Sequence, residues 1–208
     1  MSRITIIDHS NGNANSILRA LHSIGAEAKF SHDPRDVAAS DFIILPGVGH
    51  TGTAMASIQA NGLLAPLEEA AFARKVPVLG ICLGMQLMVD YVEEGECAGL
   101  GWIPGRAQAL EIEDRQKYKV PHIGWNTVHP DPGSRLYAAL GEQDQSFYFC
   151  HKYTVEGVTD AGCLASFHYE RDWIASFEKD NIFGVQFHPE KSHEAGQALF
   201  RAFLGAGR

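Results

Sequence analysis

The chain has 208 residues, of which 45% are hydrophobic and 20% charged, and its formal net charge is -8. That length suits one substantial domain and is short for two, and the composition allows a packed core. The acidic balance, with no cluster of Lys and Arg, excludes a polyphosphate-binding surface, so no nucleic-acid partner is expected. The N-terminal stretch MSRITIIDHSNGN turns polar too soon for a signal-peptide core, and no later apolar run could span a bilayer. A cytoplasmic protein without a membrane partner is the expectation.

In chain order, Arg3 to Asp8 (RITIID) is a short β-branched run that reads as a strand. Ala14, Ile17, Leu18, Leu21 and Ile24 follow at the spacing of one helical face, with Gly25 as the stop. Ala26 to Phe30 and Asp41 to Leu45 read as strands, the second ended by Pro46, and helical stretches follow at Thr53 to Gln59 and Leu63 to Arg74. Val76 to Ile81 is almost entirely apolar, as befits a strand buried on both faces. This β-α-β-α order predicts a parallel sheet covered by helices.

The second half is richer in strands. Candidates are Ala107 to Ile112, His122 to His129, Phe147 to Cys150, Leu164 to Tyr169, Trp173 to Glu178 and Ile182 to Phe187, before a last helix from Ser192 to Leu204. With no repeat, low-complexity tract or long linker, the expectation is one α/β domain over residues 1–208.

Three stretches could carry chemistry. Gly80-Ile81-Cys82-Leu83-Gly84 has the form of a nucleophile elbow, with cysteine in the serine position. A sharp strand-to-helix turn strains the central residue, and flanking glycines avoid crowding. The amides of the following helix favour anionic sulfur and a developing oxyanion. The elbow alone leaves Cys82 open as a small buried residue, a metal ligand or a nucleophile. The four cysteines, Cys82, Cys97, Cys150 and Cys163, form no CxxC pair, so neither a zinc site nor a disulfide framework is expected.

Phe183-Gly184-Val185-Gln186-Phe187-His188-Pro189-Glu190 supplies a base. In an extended segment His188 and Glu190 point to one side, so the carboxylate can orient the imidazole. Taken alone, His-x-Glu could be a surface pair. Leu45-Pro46-Gly47-Val48-Gly49-His50 is a glycine-rich loop after a strand; it lacks the Gly-Lys-Ser/Thr ending of a phosphate loop, and ATP binding is not indicated.

In this order and spacing the three stretches closely resemble class I, triad-type glutamine amidotransferases, and within that class the glutaminase subunits of imidazole glycerol phosphate synthases. The similarity covers nearly the whole length and includes PGVGH at Pro46 to His50, GICLGMQLM at Gly80 to Met88, EEG at Glu93 to Gly95, and GLGWIPG at Gly99 to Gly105. It continues through PHIGWN at Pro121 to Asn126, YFCHKY at Tyr148 to Tyr153 and QFHPEKS at Gln186 to Ser192. The resemblance implies a single-domain fold with a largely parallel central sheet, flanking helices and additional antiparallel strands.

It also implies roles. Cys82 would attack the side-chain amide of glutamine, His188 would move the protons and Glu190 would orient His188. Amides of Val48 and Leu83 would form the oxyanion hole. Gly49, Gln86, Glu94 and the backbone around Lys152 and Tyr153 match glutamine-binding positions, with the Glu94 carboxylate suited to the α-ammonium. No cofactor or metal is implied. The ammonia would pass to a separate (β/α)8 cyclase subunit in a heterodimer, with Trp125 and Lys191 partner-facing and Pro121 and Tyr148 near the gate. The cyclase would form imidazole glycerol phosphate and an aminoimidazole carboxamide ribotide.

Several positions depart from the commoner pattern: Asp8 to Asn13, Thr51, Ile123 and Lys152. Alternatives are a paralogous subunit feeding another synthase, such as one making amidino-sugars, a non-catalytic regulatory subunit on the same fold, and a stand-alone thiol hydrolase.

Overall fold

The computed structural model describes residues 2–9, 14–141 and 145–206. Ser10 to Asn13, most of the variant N-terminal loop, lie outside them. The first half alternates strands and helices: β1 (Ile4–Ile7), α1 (Ala14–Ser23), β2 (Ala28–Ser31), α2 (Pro34–Ala38), β3 (Phe42–Leu45), α3 (Thr51–Ala60), α4 (Leu64–Glu68) and β4 (Val78–Ile81). Helix α4 runs on as a π-helical turn through Glu69–Ala73. Every residue of β1, β3 and β4 is buried, which explains why their sequence is apolar apart from Thr5. Short α2 has Pro34 in its first turn and Asp33 as a cap, the carboxylate accepting from the Arg35 amide.

After α5 (Leu83–Leu87) come β5 (Val89–Val92), β6 (Cys97–Ala98), β7 (Ile103–Ala109), β8 (His122–Pro130), β9 (Ser146–His151), β10 (Tyr153–Glu156), β11 (Cys163–Tyr169), β12 (Arg171–Lys179), β13 (Ile182–Val185) and α6 (His193–Gly205). The main sheet has the order β2-β1-β3-β4-β13-β12-β11-β8-β9. It is parallel from β2 to β13 and antiparallel from β13 to β9.

The join between these halves positions the site. Strand β13 returns from the antiparallel region and pairs parallel with β4, Gly184 opposite Gly80 and Val185 opposite Ile81. The two strands therefore end together, and the residues that follow them, Cys82 and His188, emerge on one edge. The Cys82 amide donates to the Val185 carbonyl at 2.7 Å, which ties the ends.

A second sheet, β10-β7-β5-β6, is not foreseen by the sequence pattern. Its strand β7 begins at Ile103 and carries Pro104 and Gly105, residues that argue against a strand. The helical pattern after Cys82 also stops early: α5 ends at Leu87, and β-branched Val89 starts β5, which pairs with β7.

Candidate active site

Cys82 sits where β4 turns into α5, with φ 48° and ψ -101°. A non-glycine residue rarely holds such a backbone, and the strain persists because its neighbours are packed to enforce it. A Cβ on Gly84 would overlap the Leu45 carbonyl, and one on Gly80 would lie 2.7 Å from the Gly84 carbonyl carbon. A Cβ on Gly47 would overlap the Ile81 carbonyl, so the Pro46–Gly49 loop lies directly on the elbow. Gly49 itself has φ +118°.

His188 is buried and places Nδ1 2.8 Å from Glu190 Oε1. Both side chains are only 2% exposed. The pair meets by a different backbone route from the one expected. His188 is extended, but Pro189–Lys191 form a 3-10 turn that swings Glu190 back to the imidazole. Ser192 locks the segment: its hydroxyl donates to the His188 carbonyl at 2.7 Å and accepts from the Tyr148 amide at 3.0 Å.

Burial alone would lower the His188 pKa, yet it is raised from 6.5 to about 10. The charge and hydrogen bond of Cys82, then those of Glu190, outweigh desolvation. With Nδ1 engaged by Glu190, Nε2 serves the sulfur. The imidazole is thus held between a cysteine sulfur and a carboxylate, an arrangement that can supply a nucleophile and a proton donor in one site.

A cavity of about 280 Å³ opens over Cys82. Of the residues singled out from sequence, Val48, Gly49, Leu83, Gln86, Glu94, Pro121, Lys152, Tyr153, His188 and Lys191 line it with Cys82. Glu190 stands behind His188 rather than on the wall. Trp125 and Tyr148 lie outside, their rings 6.0 Å apart, and Trp125 also stacks on His193. A broader recess of about 1010 Å³ beside Trp125 and α6 contains none of Cys82, His188 and Glu190. Among the described residues, no group of three or more His, Cys, Asp or Glu side chains could hold a metal ion.

Residues 5–206 match the family model described as glutamine amidotransferase class-I. The chain belongs to that family. Curated relatives include subunit HisH 2 of imidazole glycerol phosphate synthase from Pseudomonas aeruginosa, 39% identical over 97% of this chain and 98% of that protein. The HisH subunit of Streptococcus mutans is 41% identical over 97% of this chain and 98% of its own length. The solved structure of PurLQS from Thermotoga maritima superposes with a TM-score of 0.72, at 20% identity over 99% of both chains, a likeness of fold.

This amidotransferase also carries site groups that the sequence reading passed over. Gln186, fully buried, donates from Nε2 to Cys82 Sγ at 3.5 Å, and its Oε1 accepts from Gln86 Nε2 at 3.4 Å. Gln86 donates in turn to the Tyr153 carbonyl at 3.0 Å. That carbonyl also engages His151 Nδ1 at 2.8 Å, and His151 Nε2 lies 3.2 Å from His122 Nδ1. Because a carbonyl can only accept, His151 carries its proton on Nδ1, and His122 donates to the free Nε2. Gln186 stands two residues before His188, so period-two reasoning could have raised it; the His122–His151 contact joins β8 to β9 and has no local signal.

Proposed function

We propose that this amidotransferase is the glutaminase subunit of an imidazole glycerol phosphate synthase and that residues 1–208 form one glutamine amidotransferase domain. The observation that carries the proposal is the Cys82–His188–Glu190 constellation, opening on the same cavity as Glu94. It lies in a chain about 40% identical to HisH proteins over nearly full length.

The Cys82 thiolate attacks the side-chain amide carbon of glutamine. Charge moves to the carbonyl oxygen, toward the amides of Val48 and Leu83. As the tetrahedral intermediate collapses, protonated His188 gives its proton to the departing nitrogen, and ammonia leaves behind a glutamyl thioester. Neutral His188 then takes a proton from water, which attacks the thioester; glutamate departs and the thiolate–imidazolium pair returns. Glu190 holds the imidazole tautomer and stabilises its charge throughout. Gly49, Gln86, Glu94 and the backbone around Lys152 and Tyr153 form the glutamine pocket.

Ammonia set free in water would be protonated, so a cyclase docked at the cavity mouth is the natural acceptor. Support comes from a patch beside the cavity: Ile123 and Trp125 are 59% and 49% exposed, and Lys191 lies over the Tyr148 ring. Large apolar side chains in such positions mark a protein contact. We read the protein as cytoplasmic; no described helix is long and apolar enough to cross a membrane.

The test is to purify the chain with (β/α)8 synthase candidates and measure ligand-stimulated glutamate release. Cys82→Ala should reduce it at least about a thousandfold. Full activity in that variant would remove the triad assignment. Failure to rescue a histidine auxotroph lacking the glutaminase subunit, despite good expression, would point to a different synthase.

A further inference from the structure

Glu94 rides on the 3-10 turn Glu93–Gly95, and its side chain is only 8% exposed although it faces the Cys82 cavity. The two carboxylate oxygens are engaged differently. Oε2 accepts from the Thr51 amide at 2.9 Å and its hydroxyl at 3.3 Å, partners from the start of α3. Oε1 is met by Lys152 Nζ at 3.2 Å. No other described group hydrogen-bonds Oε1. A buried carboxylate oxygen without a counter-ion would be costly, and Lys152 offsets that cost.

The backbone and side chain of Lys152 behave unlike each other. Its carbonyl accepts from the Leu110 amide at 2.8 Å, and its neighbours belong to β9 and β10, so the main chain is anchored. Its side chain is 58% exposed, and Nζ stands 5.1 Å from the Tyr153 ring centroid. The ammonium thus reaches a buried anion on a flexible stem open to solvent. It can leave without disturbing a strand.

We infer that Lys152 is a resident counter-ion occupying the place of the substrate's α-ammonium, so that glutamine enters by exchanging its own ammonium for Lys152 Nζ on Glu94. This deepens the glutaminase reading and rests on it. The two cations have equal charge and three N–H donors each, so the exchange conserves the ion pair while Thr51 keeps Oε2 in place. An amide without an α-ammonium cannot make the exchange, and Lys152 stays on Glu94. The lysine therefore tunes recognition of the α-ammonium: it competes with every ligand that claims Glu94 and narrows the margin between glutamine and an amide that lacks the amine.

Binding can be measured calorimetrically on the complex carrying Cys82→Ala, which prevents turnover, with and without Lys152→Met. The ligands are L-glutamine and glutaramate, the analogue lacking only the amino group. Methionine keeps the length of the stem and removes the charge. The expected result is about two- to fivefold tighter glutamine binding, as for a half-exposed ion pair, with glutaramate unchanged. Lys152→Arg should stay near the parent affinity. Weaker glutamine binding in Lys152→Met would overturn the inference by making Lys152 a direct substrate contact. Equal tightening of both ligands would overturn it by making the side chain a steric plug. Absence of glutamine binding in every variant would sink the glutaminase reading along with it. As a partner-independent check, Lys152→Met with Cys82 intact should speed alkylation by a glutamine chloroketone relative to iodoacetamide, and an unchanged ratio would count against exchange.

Discussion

His188 and His151 are both buried and both line the cavity over Cys82, yet their basicities move in opposite directions. His188 is raised to about 10, while His151 is lowered from 6.5 to about 3. Desolvation is the largest influence on each and lowers both. His188 escapes because Cys82 and Glu190 place negative charge against its ring. His151 has only the Tyr153 carbonyl to favour its cation, while His122 and His188 oppose it. His122, stacked among Phe149, Phe167 and Tyr169, is lowered by burial to about 4. A few ångströms of context thus separate a histidine that favours its proton from a neutral scaffold.

The strongest way to break this contrast is to make His188 resemble His151. Glu190→Gln keeps a hydrogen-bond acceptor but removes the charge. Glutamate release in the synthase complex should fall by about 10²- to 10⁴-fold, as when a triad carboxylate is neutralised. The His188 imidazole, followed by NMR, should titrate at lower pH than in the parent. A small loss of rate with an unmoved titration would show that Cys82 alone sustains the cation.

A milder change probes the sulfur side. Gln186 is the described residue whose neutral N–H donor hydrogen-bonds Cys82 Sγ. Gln186→Leu preserves bulk and removes that donor. Because alkylation proceeds through anionic sulfur, which an N–H donor favours, the expected loss is about tenfold in the iodoacetamide alkylation rate of Cys82 at neutral pH. The His188–Glu190 contact should survive, which distinguishes loss of the donor from collapse of the site. An unchanged alkylation rate would leave Gln186 a packing residue.

How much of this was legible beforehand follows from the range of each interaction. The elbow was readable because glycines at 80 and 84 and a cysteine between them are a local signature. His188 and Glu190 were readable as neighbours, although period-two alternation was the wrong reason and a 3-10 turn the right one. Among the parallel strands, β1, β3, β4 and β13 announced themselves by nearly unbroken apolar runs, whereas edge strand β2 carries Lys29 and Ser31. The second sheet did not, because β5 follows a helical pattern and β7 carries Pro104 and Gly105. Lys152 was visible as a departure at a position proposed for glutamine binding, but its bond to Glu94 joins separate segments. No periodicity encodes such a contact. The same holds for His122 and His151, whose neutral state depends on the aromatic walls assembled by β8, β9 and β11.

Those two histidines give the smallest expected effect. A group whose folded pKa lies below its unfolded value of about 6.5 binds fewer protons in the native state as pH falls. His122 and His151 therefore contribute stability that is fully present above about pH 6.5 and is lost as pH drops toward their folded values of about 4 and 3. His188 has the opposite sign: its contribution is complete below about pH 6.5 and disappears as pH rises through about 10. Together they form the two limbs of a stability maximum. His122→Phe should flatten only the acid limb, since phenylalanine suits the stack on Phe149, Phe167 and Tyr169 and cannot titrate. Urea unfolding at pH values from about 5 to about 6.5 should show a slope reduced by up to about 1.4 kcal/mol per pH unit, the limit for one proton. The alkaline limb should be unaltered. An acid limb as steep as the parent's would mean that His122 binds its proton equally in both states, and the neutral-scaffold half of the contrast would then rest on His151 alone.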